Sequence, residues 1–498
     1  MTAGARTVLS GGLWSLGASV ITIVASLIAT PFVLRGLGSE AYGVFSVVQV
    51  FVGYFAVADF GTGDASTRYS ADAYARDDRR AEAEAVWTAL LLQVVPSIIA
   101  VVGLTLGAWF IVEDVLRLPG HIHAAAAAAL PVASLAMIAK NVATVFNSPQ
   151  VVRLRFREVA LINAGCGLVQ IATVPIVVWQ GGSIAACVAV VAGANALSFV
   201  VHATYATRLL PELRTPRIAS ELLGTMARYG GWTVVVTLVI VLLTQTEKVL
   251  IARFASPTAL AYYAVAFSLA STLTIVPRAI KGVLFPIFSR MQADPSQASM
   301  ATLYGKIVRM ILLAIGPLAV VMCMLAAPFL SVWAGEEYGR NSAIPFYVLT
   351  LGFLASGMAS IPVVLLKGIA RVDLLARFNM LQVVPFVLLA GLLTWKHGAI
   401  GGAIAFTIRA VVDAAMHFGA VRQLVGVRVW NHPRALLRFA VACLLVLSPL
   451  STLLVSSLGL AARLTITAVA VMSYLAFVWA WMDASSAGSP SNRICGDC

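Results

Sequence analysis

Charged side chains are scarce in this sequence. They make up 11% of the 498 residues, whereas soluble globular domains are about 25% charged. No charged block of domain size interrupts the chain, so little of it is expected to fold in water. Hydrophobic residues make up 60%, and the mean hydropathy is +0.93. Because the apolar runs far exceed the roughly 9–11 residues of a barrel strand, we predict an all-α polytopic membrane protein with about fourteen transmembrane helices.

The residues of common catalytic and metal sites are also few. The six histidines are scattered along the chain, and their spacing matches no metal site. Neither a P-loop nor a Rossmann fingerprint is present, so ATP is not an expected energy source. With no catalytic constellation either, the sequence predicts a protein that is not an enzyme and that uses no metal or cofactor.

Cysteine is no guide to a redox function. Four cysteines lie in apolar runs, a pattern typical of small buried residues. Cys495 and Cys498 form a C-x-x-C pair in a tail rich in Ser, Gly and Pro. A redox or metal role needs a folded context, and residues 483–498 are predicted to be a disordered cytoplasmic tail. We therefore interpret the pair as a chance feature of the tail, with metal binding as the alternative.

The distribution of positive charge tests the predicted number and order of the transmembrane spans. The net charge is +13. With the N-terminus placed inside, every inside segment is basic and no outside segment has more than one cation. This positive-inside pattern predicts a membrane protein with both termini cytoplasmic, and it removes the reason to expect nucleic acid as a partner. The outside loops are all short, which disfavours a polytopic glycosyltransferase or polymerase.

The two halves of the chain contain similar sequences at corresponding positions. The junction of the first and second spans reads LIATPFVLRGLGSEAYGVFSVVQVF, and that of the seventh and eighth reads KVLIARFASPTALAYYAVAFSLA. A parallel repeat of this kind places a binding site at the interface between two lobes. We predict an N-lobe at residues 1–217, a C-lobe at 218–427 and two further spans at 428–482, before the tail.

Two cations interrupt the apolar stretch 259–290. Arg278 and Lys281 lie one turn apart on one helix face, and inserting each cation costs about 2.5–3.5 kcal/mol. The corresponding helix of the first half carries Asp59 and Asp64. The deeper pair, Asp59 and Arg278, is interpreted as lining a cavity. Asp64 and Lys281 are near the predicted inside ends, where a salt bridge or the membrane surface explains them equally well.

Other charges within the predicted spans are Lys140, Glu247, Lys248, Arg409 and Asp413. Arg409 and Asp413 are four residues apart and are interpreted as a structural pair. Glu247 and Lys248 point about 100° apart on a helix, so Arg278 is a candidate partner for Glu247. Lys140 either lines a cavity or reaches the cytoplasmic surface. Cations outnumber carboxylates within the spans, and spare positive charge suits an anionic ligand.

Three stretches carry a resemblance to a known family. LRGLGSEAYGVFSVVQVFVGYFAVADFGTGDASTRYSA resembles the first loop and second span of Wzx-type polysaccharide (O-antigen) flippases. QTEKVLIARFASPTALAYYAVAFSLA resembles their seventh-span acidic-basic dipeptide and the start of the eighth span. IKGVLFPIFSRM resembles the end of that eighth span. The resemblance covers nearly the whole chain and indicates the polysaccharide transporter branch of the multidrug/oligosaccharidyl-lipid/polysaccharide (MOP) superfamily.

The resemblance implies two six-helix lobes around a V-shaped cavity, plus two C-terminal helices. It implies a flippase that moves an undecaprenyl-pyrophosphate-linked oligosaccharide, the repeat unit of a polysaccharide or exopolysaccharide, to the outer leaflet by alternating access. Membrane lipids, a polysaccharide polymerase and its chain-length machinery are the expected partners. In that family cavity cations bind the pyrophosphate, and the positions carried over here are Arg278, Lys281, Lys248 and Lys140. The candidate coupling or gating carboxylates are Asp59, Asp64 and Glu247.

The same superfamily offers an alternative function. It also holds lipid II flippases and multidrug exporters. Lipid II flippases carry Arg in the first span, and this chain has no cation there, which favours the polysaccharide branch. A multidrug or metabolite antiporter is the alternative, and for it an acid-dominated cavity is expected.

Overall fold

A computed structural model describes residues 3–55, 61–278, 280–281, 284, 288, 297–425, 465 and 472. Every regular element within these ranges is helical, which confirms the all-α class. The main helices are α1 (Ala3–Phe55), α2 (Thr62–Ala75), α3 (Arg79–Leu106), α4 (Gly120–Val152), α5 (Phe156–Trp179), α6 (Ile184–Leu209), α7 (Ser220–Phe254), α8 (Pro257–Ser271), α9 (Gln297–Trp333), α10 (Glu336–Asn341), α11 (Ala343–Gly368) and α12 (Val372–Val425). Shorter pieces are a turn at Ala108–Phe110, a π-helix at Ile111–Val115 and 3₁₀-helices at Pro211–Arg214 and Thr272–Thr274.

Ten helices in the described ranges are long and apolar enough to cross a membrane. Two of them, α1 and α12, are interrupted by the non-helical residues Gly38 and Gly398. A straight helix of 53 residues would be about 80 Å long, more than twice the hydrocarbon thickness of about 30 Å. Each therefore covers two predicted spans. Apart from residues 465 and 472, the last two predicted spans and the Cys495/Cys498 tail lie outside the described residues, so the total of fourteen stays a prediction.

The two halves of α12 meet directly after Gly398. A Cβ atom added to Gly401 would overlap the carbonyl group of Leu393. Residues eight positions apart lie about 12 Å apart along a continuous helix, so this contact requires the chain to reverse. Gly398 has φ 55° and ψ −132°, a conformation that glycine adopts at low cost. The K-H-G turn between the eleventh and twelfth spans is thus a helical hairpin.

We expect Gly401→Ala to destabilise this hairpin, because the new methyl group would displace the backbone of Leu393. Overpacking of this kind costs about 1–3 kcal/mol. Gly391, in the same helix, has open space around its Cα, so Gly391→Ala is expected to be neutral or to stabilise the helix by about 0.5–1 kcal/mol. Melting temperatures of the purified variants in detergent test this. Equal effects at the two positions would contradict the close approach.

The chain divides into two compact units. Unit 1 comprises Met1–Val265 and Ala376–Ala405, and unit 2 comprises Ala266–Leu375 and Phe406–Cys498. The predicted lobe boundary at residues 217 and 218 follows from sequence repetition rather than from packing, and it stays a prediction. Each unit has its own buried core.

The core of unit 1 is built around α4, which packs against α6, α2 and α3. A cluster of buried apolar residues joins α3, α4, α6 and α7; its members include Val86, Val145, Phe146, Leu210 and Met226. Small polar residues complete the packing, since Ser66 of α2 and Ser148 of α4 are buried and hydrogen-bonded at 2.7 Å. The polar segment at residues 66–75, which follows the second predicted span, is therefore part of a packed helix.

A buried ion pair joins the start of α3 to the end of α4. The guanidinium of Arg153 donates to both carboxylate oxygens of Glu82, at 2.6 and 3.0 Å. The Glu82 side chain is 0% exposed and that of Arg153 is 13% exposed. The Arg153 Cζ atom also lies 4.8 Å from the ring centroid of Tyr74, in α2. One arginine therefore holds three helix ends together.

Unit 2 is built on the packing of α9 against α11. Phe267, Phe353 and Phe406 form an aromatic cluster, with ring centroids 4.9 Å apart for Phe267–Phe353 and for Phe353–Phe406. The cluster joins α8, α11 and the second half of α12. Edge-to-face and tilted pairs of this kind each add about 0.5–1.5 kcal/mol beyond the burial of their surface.

Candidate functional site

Three cations gather in unit 2. Arg278 lies in the helical segment that continues α8 after the 3₁₀ turn, and Lys281 follows it one turn later. Lys367 lies in the last turn of α11. Lys281 is half-buried and close enough to Arg278 and Lys367 to feel both positive charges. Arg278 and Lys367 are exposed. Arg278, Lys281 and Lys367, from here called the cation cluster, bring positive charge from two helices together.

No carboxylate of the described residues forms an ion pair with the cation cluster. Like charges at close range repel, so an anion that binds among them lowers the energy of all three. Arginine adds a planar fork that matches phosphate oxygens, whereas the two lysines act as point charges. The geometry thus suits an anion with several oxygens, such as a diphosphate.

Lys367 was not among the site residues predicted from the sequence. It belongs to the short K-G-I-A-R segment after the tenth span, where the positive-inside rule accounts for it without a functional role. Its placement beside Lys281 depends on the packing of α11, which hydropathy does not report. A basic residue in the last turn of a span, just before Gly, was the available signal.

The predicted carboxylates have different environments. Asp59 lies outside the described residues. Asp64 is exposed in the first turn of α2, where a negative charge interacts favourably with the helix dipole. Glu247 of α7 is 0% exposed, and the Tyr263 hydroxyl donates to its Oε1 atom at 3.5 Å. A coupling or gating role for these three carboxylates stays a prediction, as does the pairing of Glu247 with Arg278.

Lys248 is held by its own helix. Its Nζ atom donates to the Thr244 carbonyl at 3.2 Å and to the Gln245 Oε1 atom at 2.9 Å. Two local acceptors satisfy much of a desolvated ammonium, so these contacts by themselves give Lys248 a structural role. Its assignment as a pyrophosphate ligand stays a prediction.

Arg409 and Asp413, the predicted structural pair, each contact another residue of α12. The guanidinium of Arg409 lies 5.4 Å from the ring centroid of Phe406. His417 Nδ1 lies 2.7 Å from the Asp413 carbonyl oxygen and 3.4 Å from Asp413 Oδ1. These contacts lie within one helix and support a structural interpretation of both charges, while their mutual ion pair stays a prediction.

Lys140 lines a pocket of unit 1, between α4, α5 and α6. The pocket has a volume of about 370 Å³, and six of the twelve described residues that line it carry an amide or hydroxyl side chain. Lys248 is not part of this lining. Of the four predicted cations, Arg278 and Lys281 belong to the cation cluster of unit 2, while Lys248 on α7 and Lys140 at the pocket belong to unit 1. Within the described ranges, no group of three or more His, Cys, Asp or Glu residues could hold a metal ion.

Solved structures define the class of this fold. The chain superposes with a TM-score of 0.72 on the lipid II flippase MurJ in an inward closed conformation, at 12% identity, covering 94% of this chain and 99% of that one. It superposes with a TM-score of 0.65 on an inward-facing multidrug resistance transporter of the MATE family, at 16% identity, covering 81% and 94%. The protein is a multi-pass membrane protein with the fold of the MOP superfamily.

Sequence comparison narrows the class to a family. Residues 32–343 match the family described as "Polysaccharide biosynthesis protein", and the chain belongs to that family. A Shigella flexneri protein named "Putative O-antigen transporter" is 22% identical over 414 residues, which cover 82% of this chain and 96% of the relative. The Bacillus subtilis membrane protein EpsK is 21% identical over 357 residues, covering 70% and 69%. The resemblance to Wzx-type polysaccharide flippases is confirmed.

Proposed function

We propose that this protein flips an undecaprenyl-pyrophosphate-linked oligosaccharide from the inner to the outer leaflet of a bacterial plasma membrane. The observation that carries this proposal is the cation cluster, three positive charges without a carboxylate partner among the described residues. The pyrophosphate binds there, with Arg278 as a bidentate ligand and Lys281 and Lys367 as supporting charges. The lipid tail stays in the bilayer while the protein alternates between inward-open and outward-open states.

Membership of the polysaccharide biosynthesis family supports a glycan as the cargo. A multidrug antiporter binds organic cations, and the positive charge of the cation cluster would repel them. Delivery of the glycan to the outer leaflet makes a polysaccharide polymerase and its chain-length machinery the natural partners. A proton gradient acting through Asp59, Asp64 or Glu247, exchange of another ion, or the membrane potential acting on the charged headgroup drives net transport.

A leaflet assay tests this function. Purified protein is placed in proteoliposomes that contain a fluorescent undecaprenyl-pyrophosphate-linked oligosaccharide, and an impermeant quencher reports the outer-leaflet fraction over time. We expect the fraction accessible to the quencher to rise well above that of protein-free liposomes. A rate equal to the protein-free rate, together with export of the cation ethidium under a pH gradient, would replace the flippase with the antiporter.

A further inference from the structure

The pocket between α4, α5 and α6 has a chemistry of its own. Its polar lining includes Lys140 and Asn147 of α4, Asn163 and Gln170 of α5, and Asn195 and His202 of α6. The described residues that line it include no Asp or Glu. At about 370 Å³ it lies at the small end of the roughly 300–1,000 Å³ typical of small-molecule sites. Such a concentration of carboxamides within apolar helices calls for a functional explanation.

A hydrogen-bond relay fixes the orientation of the lining. The Gln150 Nε2 atom donates to the His202 carbonyl at 3.1 Å, so its Oε1 atom faces His202 Nδ1, at 3.0 Å. Nδ1 must therefore carry the proton, and in a neutral imidazole Nε2 is then an acceptor. The Asn163 Oδ1 atom is placed 3.2 Å from Nε2. Two acceptors cannot form a hydrogen bond, so we assign the Asn163 carboxamide the opposite orientation, in which its NH2 group donates to Nε2. In that orientation its carbonyl oxygen faces away from the ring.

The pocket contains a further acceptor, the side-chain oxygen of Asn147. The Oδ1 atom of Asn147 is buried and makes no hydrogen bond within the described part of the chain. Buried polar atoms are nearly always hydrogen-bonded, so a donor from a bound molecule would complete this site. Asn195 and Gln170 are half-buried in the same lining and offer both donors and acceptors.

The lining excludes two kinds of ligand. A metal or organic cation would meet Lys140 and no carboxylate, which is electrostatically unfavourable. A pyrophosphate would find a single lysine there, whereas the cation cluster offers three cations. Carboxamides and hydroxyls suit an uncharged ligand rich in hydroxyl groups, since each hydroxyl is both a donor and an acceptor.

We propose that this pocket binds a sugar ring of the transported glycan, separately from the binding of the diphosphate. The proposal rests on the proposed function, because it assumes that the cargo carries sugars. Asn147, Asn163, Gln170 and Asn195 hydrogen-bond the sugar hydroxyls, and Lys140 at the rim donates to a ring substituent. The pocket thereby recognises the sugar, while the cation cluster of unit 2 recognises the diphosphate of the lipid carrier, which is common to many glycans.

The test compares two probes in nanodiscs. One is the undecaprenyl-pyrophosphate oligosaccharide extracted from the cells that make this protein, and the other is undecaprenyl pyrophosphate without sugar. We expect Asn195→Leu to raise the Kd for the first probe about tenfold, through loss of one to two hydrogen bonds. Its Kd for the sugar-free probe should change by less than about twofold. Asn341→Leu, an exposed Asn→Leu change in α10, should alter neither Kd.

Binding of the sugar-free probe also shows that each variant is folded. If Asn195→Leu does not fold, Gln170→Leu should show the same selective loss. Equal shifts for the two probes, no shift for either, or a wild-type protein that binds both probes equally would overturn the sugar site. If the wild-type protein prefers the sugar-bearing probe but fails the leaflet assay, the sugar site stands and the flippase function fails.

Discussion

The variant Arg278→Glu is expected to abolish glycan export while the protein still accumulates in the membrane. The new carboxylate would lie one turn from Lys281, whose ammonium is close to both Arg278 and Lys367, so it would pair with Lys281 and repel the diphosphate. A charge-assisted hydrogen bond contributes about 1.5–3 kcal/mol, so even the neutral variant Arg278→Gln should slow transport about 10–100-fold. Reversal removes that interaction and adds repulsion. Surface-glycan staining and the leaflet assay measure the effect, with protein level followed by immunoblot.

Arg340→Glu is the matched control. Arg340 is exposed in the last turn of the short helix α10, and its reversal is expected to change export by less than about twofold, because isolated surface charges contribute about 0–1 kcal/mol. Lys367→Glu should reduce export, whereas the hydropathy of the chain alone assigns Lys367 no role. Normal surface glycan in Arg278→Glu at normal protein level would remove the cation cluster from the mechanism.

The helices of the described residues can largely be predicted from the sequence, because the bilayer requires long apolar helices of a defined length. Each span needs about 20 apolar residues, and the short segments around Gly38 and Gly398 leave room only for tight reversals. The structure keeps each pair of spans within one element interrupted at that glycine. Hydropathy and turn chemistry therefore agree at both places.

The helix α2 shows where this reasoning fails. Its sequence is TGDASTRYSADAYA, and hydropathy places its first four residues in the second span and the rest in a polar segment after that span. The structure buries one face of it, including Thr62 and Ser66, against α3 and α4. Hydropathy averages over the residues of a helix, so it cannot detect a polar helix whose small side chains are satisfied by other polar side chains. Ser66 can be buried because it is hydrogen-bonded to Ser148, and Thr62 because it is hydrogen-bonded to Gln93.

The candidate site was also predicted only in part from the sequence. Arg278 and Lys281 were predicted because a cation within an apolar run is costly. Lys367 and the carboxamides of the α4–α5–α6 pocket were missed. Lys367 has an ordinary explanation at the end of a span, and Asn or Gln residues carry no charge that would mark them. Their significance depends on convergence from separate helices, and the spacing along one helix does not report that.

The variant Glu82→Gln is expected to destabilise unit 1 by about 3–5 kcal/mol, the usual cost of removing one partner of a buried ion pair. The Glu82 side chain is 0% exposed and accepts two hydrogen bonds from Arg153, so the variant leaves a buried guanidinium beside a neutral amide. The hydrogen bonds to Glu82 raise the pKa of Arg153 above its already high ordinary value. A raised pKa stabilises the fold below that value, so the contribution of Arg153 is present throughout the neutral pH range and is not expected to vary there.

Glu84→Gln controls for the loss of one negative charge in the same helical turn. Glu84 accepts from Arg80 at 3.3 Å, and the side chain of Arg80 is 71% exposed, so this exposed pair should contribute only about 0.3–0.5 kcal/mol. Free energies of unfolding from titration with sodium dodecyl sulfate in bicelles separate the two variants by several kcal/mol if the buried pair holds α3 and α4 together. Because Arg153 also contacts the ring of Tyr74, hydrogen exchange in α2 should rise in Glu82→Gln alone. Equal unfolding free energies for the two variants would mean that the ion pair contributes no more than a surface contact.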